Sequence, residues 1–295
     1  MRRGGLTRRQ VLPLLAAPLL GLGRATAPRA AEPDLLDALY DLAWIPDGSS
    51  WQKHAYVITA PWCAACKQAY RESRALVSDV QLRWIPAGSD DQKWLNYNAA
   101  LARSRDPRML DELYLTGTIA DVGAPGFRSA DLNEGVLFAR RAELERLLGR
   151  SYAYPTFVCR WGSEILARAG YSDELFDGLP KAVAPDERHT PDGSKSLDLL
   201  SRPVDEAPID DHVSAVARDA IATRALPFQD APLVDLLEEG EARGVAAEIE
   251  TADGSWIALD YPRQRGSGRG LRTYVPANQV ALWPKTRQGP ARINI

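Results

Sequence analysis

The stretch from His54 to Gly88, HAYVITAPWCAACKQAYRESRALVSDVQLRWIPAG, leaves a chain few ways to fold. HAYVITA is a short apolar run of the kind that forms a buried strand. CKQAYRESRALVSD has its apolar residues at helical spacing, and VQLRWIPAG is a second strand-like run closed by Pro86-Ala87-Gly88. A β-α-β order follows. Two of the three cysteines in 295 residues, Cys63 and Cys66, stand at the joint between the first strand and the helix.

The flanking sequence extends this unit. PDLLDALYDLAW predicts a short leading helix ended by the turn at Pro46 to Gly48. Between about 90 and 148 the pattern is helical and broken by turns: QKWLNYNAALARS, PRMLDELYLTG, the loop VGAPGFRSAD, then NEGVLFARRAELERLLG. This reads as a helical insertion. YPTFVCRW and EILARAGY predict a strand pair, and SDELFDGLPKAV a closing helix, so an α/β domain is expected over 32–183. Residues 184–213 are rich in Pro and Asp, the composition of an extended linker. Short β-like runs fill 214–285 (AIATRALPF, GVAAEIET, SWIALDY, RTYVPANQVALW), separated by Gly-containing turns, and predict a small barrel or sandwich. Residues 286–295 form a tail.

The first 31 residues stand apart. A basic start, MRRGGLTRRQ, precedes the apolar run VLPLLAAPLLGLG and the small-residue stretch RATAPRAA, which is the layout of an export signal. The apolar run is far short of the ~20 residues that span a bilayer, so a cleaved signal is favoured over a retained anchor. An extracytoplasmic, periplasmic location is expected. Setting aside the six arginines ahead of Glu32 leaves 30 basic against 39 acidic groups, a balance of −9 where the whole chain has −3. No cluster of Lys and Arg follows, which argues against a nucleic-acid partner.

Export allows disulfides to persist, but a pair two residues apart closes almost no loop and is a poor staple. A zinc site needs three or four ligands. The remaining candidates, Cys159, His54, His189 and His212, include no second pair with ligand spacing. A redox pair fits the placement. At a helix N-terminus, free N–H groups and the helix dipole stabilise the thiolate of Cys63, while Cys66, one turn in, is placed to resolve a mixed disulfide. Trp62 shields the edge of this site. Cys159 reads as a buried free thiol.

These residues resemble the thioredoxin superfamily, whose active sites read W-C-x-x-C between a strand and a helix. A second mark of that superfamily is a cis-proline opposite the cysteines at the start of a strand, and AYPTFV supplies Pro155 followed by Thr156. The resemblance implies a cis Tyr154–Pro155 peptide and a backbone at Tyr154 that pairs with an extended client beside Cys63. The α/β part, from about Trp44 to Leu179, is most similar to periplasmic disulfide isomerases and reductases of the DsbC and DsbG type, and TRRQVL resembles a twin-arginine export motif. There are departures. About twenty residues separate the signal from the cysteine-bearing β-α-β unit, where that group has a dimerisation domain, so a monomer is expected. Tyr154 stands where Thr is usual. The buried acid that thioredoxin places six residues before its first cysteine is Val57 here, leaving Lys67, Glu72 or water to take the proton of the resolving thiol.

Residues 222–282 resemble bacterial SH3-like domains, most specifically in YVPA. That resemblance implies an aromatic groove for a cell-wall peptide or protein segment, with Trp256 and Tyr274 as candidates against a plain core role. The expectation is thus a thioredoxin-like α/β fold with a helical insertion, followed by a small SH3-like barrel. Its activity would be thiol–disulfide exchange by Cys63 and Cys66 on exported, cysteine-containing client proteins, with the client held at Trp62, Tyr154, Pro155 and Thr156. A membrane thiol–disulfide partner would supply or accept electrons, and no cofactor beyond the redox-active cysteine pair is implied. The competing expectation is a peptide- or cell-wall-binding protein that uses the α/β fold only as a platform.

Overall fold

The computed structural model describes residues 34–87, 92–122, 128–191, 193–209, 213–260 and 272–284. The segment expected to be an export signal and His212 lie outside them, and residues 34–284 fall in one unit. Among the described residues no helix is long and apolar enough to cross a membrane.

The leading helix α1 (Leu35–Tyr40) starts where the Asp34 carboxylate accepts the amide of Asp37, a local cap that fixes its first turn. Strands β1 (Ile45–Asp47), β2 (His54–Thr59) and β3 (Gln81–Pro86) follow, with α2 (Ala64–Glu72) between the last two. β2 and β3 pair in parallel, from His54 opposite Gln81 to Thr59 opposite Pro86, as the β-α-β order requires. Both strands are buried along their whole length, which fits the apolar middle of β2 and obliges Gln81 and Arg83 of β3 to find buried partners. The insertion supplies α3 (Gln92–Ser104), α4 (Pro107–Asp111) running into one π-turn segment (Glu112–Thr116), α5 (Arg128–Ala139) and α6 (Arg141–Leu148). β4 (Thr156–Trp161) and β5 (Glu164–Ala169) then complete a five-stranded sheet in the order β1-β3-β2-β4-β5, and α7 (Asp173–Ala182) packs after them.

The segment 184–213 is not an extended linker. It contains α8 (Ser194–Ser201) and β6 (Asp205–Pro208), and it buries Asp186, His189, Ser196 and Leu199. Its polar composition is explained by what it meets. Arg83, fully buried in β3, donates to the carbonyls of His189 (2.8 Å) and Thr190 (3.2 Å), to the Tyr56 hydroxyl (3.1 Å) and to Gln81 (2.9 Å). The His189 ring bonds Asp37 through Nε2 (2.9 Å) and stacks on Tyr40. His54 sits beside it in the same buried network, where burial and then Arg83 hold its pKa down to about 3.

The last part contains β7 (Val213–Ala217), β8 (Ile221–Arg224), β9 (Leu233–Leu237), β10 (Ala242–Thr251), β11 (Gly254–Asp260), β12 (Arg272–Pro276) and β13 (Val280–Pro284). They form an antiparallel sheet in the order β13-β7-β10-β11-β12-β8-β9, with β6 also on β10. The expected fold class is corrected here. The second sheet has eight strands, one of them drawn from the supposed linker, and nothing among the described residues closes into a barrel. The reason lies in β11 and β12, which are buried on both faces. Ile257, Leu259 and Val275 pack on one side; Trp256, Ala258 and Tyr274 pack on the other. That second side is covered by the helical insertion: the Tyr274 hydroxyl and the Arg272 amide both donate to Asp131 of α5. A strand covered twice belongs inside a layered α/β unit, whereas a small solvated barrel needs only one buried face. Ala225, Leu226, Phe228, Ala231 and Val234 share one hydrophobic core with α1, Leu132 and Val136.

Candidate active site

Cys63 is the N-cap of α2. Its extended backbone (φ −73°, ψ 113°) ends the turn after β2, and its sulfur accepts the amide of Cys66 at 3.0 Å. Both cysteines, and Cys159, are free thiols. Cys63 is half-buried, whereas Cys66 is fully buried against Ala69, Tyr70 and Val57. The asymmetry sets their chemistry. A hydrogen bond from the Cys66 side chain, supported by the amides of Cys66 and Ala65, outweighs burial and brings the Cys63 thiol down to about 7. Burial, and then its bond to Cys63, push Cys66 well above the ordinary thiol range. One sulfur is thus a thiolate near neutrality and the other a protonated thiol held behind it.

Pro155 stands opposite. The Tyr154–Pro155 peptide is cis, and the Tyr154 carbonyl lies 3.7 Å from the sulfur of Cys63. Thr156 begins β4, fully buried, with its hydroxyl donating to the Ala153 carbonyl at 2.6 Å. The loop 151–155 and the end of β2 are brought together because β4 pairs antiparallel with β2, Thr156 opposite Ile58. Trp62 packs near Trp94 (6.2 Å between ring centres) and edge-on to Tyr154 (6.4 Å). Trp94 in turn meets Tyr97 (5.6 Å), and Tyr154 meets Tyr152 (5.3 Å). Cys63 therefore opens beside an aromatic wall, two of whose five rings come from α3.

The sequence motifs contain Cys63, Cys66, Trp62, Tyr154, Pro155 and Thr156, and all six meet here. They do not contain Trp94 and Tyr97, whose i,i+3 spacing on α3 is the only local sign of a shared face. Nor do they contain Thr59 and Tyr114, whose buried hydroxyls lie 2.6 Å apart. Val57 is core, as its apolar character requires. Glu72 is exposed and accepts from Gln68, one turn back on α2, at 2.5 Å. Cys159 is buried on β4 opposite Ala55, where burial pushes its thiol up to about 12. Trp256 and Tyr274 are 1% and 3% exposed. Neither lines an open groove, and Tyr274 is committed to Asp131. A separate groove of about 570 Å³ runs along β5 and α7, lined by Trp161, Leu166, Arg168, Tyr171 and Leu175, and contains neither Cys63 nor Cys66.

No protein-family model matches the chain, and no curated protein matches it.

Proposed function

We propose that the chain is a thiol–disulfide oxidoreductase. More specifically, it acts after export as a disulfide reductase or isomerase on cysteine-containing client proteins, in the manner its likeness to thioredoxin-superfamily active sites implies. The observation that carries this reading is the pairing of a half-exposed Cys63, with its thiol at about 7, with a buried and protonated Cys66. The Cys63 thiolate attacks a client disulfide and forms a mixed disulfide, releasing the other client sulfur as thiolate. Cys66 then attacks Cys63, and the second client sulfur leaves. The Tyr154 backbone, 3.7 Å from Cys63, is the seat for an extended client segment, and the aromatic wall covers its apolar side chains.

Replacing Cys63 with Ser tests the reading. The variant is expected to lose insulin reduction and refolding of scrambled disulfide substrates, and wild-type rates in it would overturn the assignment. The direction of electron flow is read by the reduction potential of the pair, on a scale that runs from about −270 mV for thioredoxin to about −120 mV for DsbA. The reductase or isomerase assignment expects a value toward the thioredoxin end, with electrons from a membrane donor.

A further inference from the structure

The five-stranded sheet ends at β5, which pairs with β4 on one side and has no described strand on the other. The Gly170 amide donates to the Pro155 carbonyl at 2.8 Å. In the antiparallel ladder the even-numbered residues therefore exchange backbone hydrogen bonds with β4, while Ile165, Ala167 and Ala169 turn theirs to the open rim. Two guanidinium groups agree with this. Arg168 donates to the Ala167 carbonyl (3.0 Å) and Arg150 to that of Ala169 (2.9 Å). The side chains alternate across the sheet: Ile165 and Ala167 join the core on the α6 side, and Glu164, Leu166 and Arg168 line the groove beside α7. The opposite edge, β1, is three residues long, but β5 is six. An edge of that length is a template for another strand.

This edge, Glu-Ile-Leu-Ala-Arg-Ala, is complementary to itself. Turned about a two-fold axis at Leu166, β5 and a second β5 run antiparallel, and Ile165 faces Ala167 of the second copy, rim amide to rim carbonyl. The same register sets Glu164 opposite Arg168 of the second copy, twice, and Leu166 against its own counterpart. Among the described residues Arg168 has no acidic partner and Glu164 no basic one. On pairing, Arg168 gives up the Ala167 carbonyl, which takes an amide of the second strand instead. At each end the exposed Trp161 of one copy comes alongside the exposed Tyr171 of the other, both of which line the groove. We propose that β5 is an interface between two copies of this chain, paired antiparallel about Leu166, which joins two five-stranded sheets edge to edge. A second copy is the occupant because charges, apolar centre and aromatic ends all match under one two-fold operation. The missing dimerisation domain, from which a monomer was expected, is thus answered by a contact of another kind. Gly170 ties the far end of β5 to the Pro155 loop, so antiparallel pairing sends the two cysteine sites to opposite ends of the joined sheet.

Sedimentation equilibrium of the full-length protein tests this, with Arg168→Glu, Glu164→Arg and the double swap Glu164→Arg/Arg168→Glu beside the wild type. The wild type is expected to pass from monomer to dimer as concentration rises through the micromolar range. Either single reversal sets like charges opposite each other at both crossings. It is expected to weaken dimerisation about tenfold, the scale of two cross-strand pairs turned from attraction to repulsion. The double swap should recover the dimer. An equimolar mixture of the two single variants should pair as a heterodimer, because each presents the charges the other needs. A wild type that stays monomeric overturns the proposal, leaving an edge guarded by its arginines or open to a strand of another protein. So does a dimer that both reversals leave within about twofold of wild type, the scale of surface substitutions, which would place the contact elsewhere. Weakening without recovery in the swap or the mixture refutes the register, and the proposal with it. Both residues are exposed, so circular dichroism should be unchanged; if one single variant does not fold, the other and the double swap decide.

Discussion

The hydroxyl of Tyr274 donates to Oδ2 of Asp131 at 3.1 Å, across 143 residues of sequence. One end of this bond is in the second sheet and the other in the helical insertion beside the cysteine-bearing sheet. Both residues are buried, so water cannot replace the bond when it is lost. Tyr274→Phe is expected to cost about 1–2 kcal/mol in urea unfolding. Unfolding should remain a single transition by both tryptophan fluorescence and circular dichroism, because the two parts share a core.

The pH response of the reduced protein follows from the two thiols. An unperturbed cysteine ionises near 8.5, whereas folded Cys63 does so at about 7. Between these values the unfolded chain holds the extra proton, so stability rises with pH and is lost as pH falls through 7. Cys66 is shifted the other way, so above about 8.5 the unfolded chain ionises first and stability declines again. Buried Cys159 adds to that decline. The rise is expected to vanish when Cys63 and Cys66 are joined, which denaturation of both redox forms across pH 6 to 9.5 will check.

Alkylation isolates the first thiol. Iodoacetamide should modify Cys63 with a midpoint near pH 7. In Cys66→Ala that midpoint should move up toward 8.5, because the thiol that contributes most to stabilising the Cys63 thiolate has been removed. An unmoved midpoint would assign the activation of Cys63 to the α2 amides alone.

Arg83→Met keeps much of the side-chain volume but leaves the carbonyls of His189 and Thr190 without their buried donor. A loss of about 3 kcal/mol or more is expected. Hydrogen exchange should locate it, with the amides of Ala184, Asp186 and Arg188 losing protection first as the segment lifts from β2 and β3.

These residues also mark what could be read from the chain directly. The β-α-β core, the cysteine pair and Pro155 are local signals, carried by periodicity over ten residues or by one motif. In the last part β8, β10, β11, β12 and β13 were legible for the same reason, whereas β7 and β9 fall outside the expected runs. The closure of the sheet was not legible, because whether β13 meets β9 depends on pairings far apart in sequence, and on α5, which reads as one helix of an insertion. The polar segment 184–213 misled because Asp186 and His189 look solvent-loving until Arg160, Asp37 and Arg83 are placed around them. The Thr59–Tyr114 bond spans 55 residues and two elements, and neither residue belongs to a motif.

Gly135 of α5 faces the second sheet so closely that a Cβ there would lie 3.1 Å from a methyl of Val234 and 3.4 Å from the Cβ of Ala225. The helix and the sheet touch at backbone distance, and the apolar residues around that contact belong to the core that α1 also fills. The molecule therefore offers no seam at which to cut. A fragment ending near residue 213 would bare Leu132 and Val136 and strand Asp131 without Arg272 or Tyr274. The smallest piece of this protein that an experimenter can excise, or that recombination can move intact, is the whole span that carries both sheets.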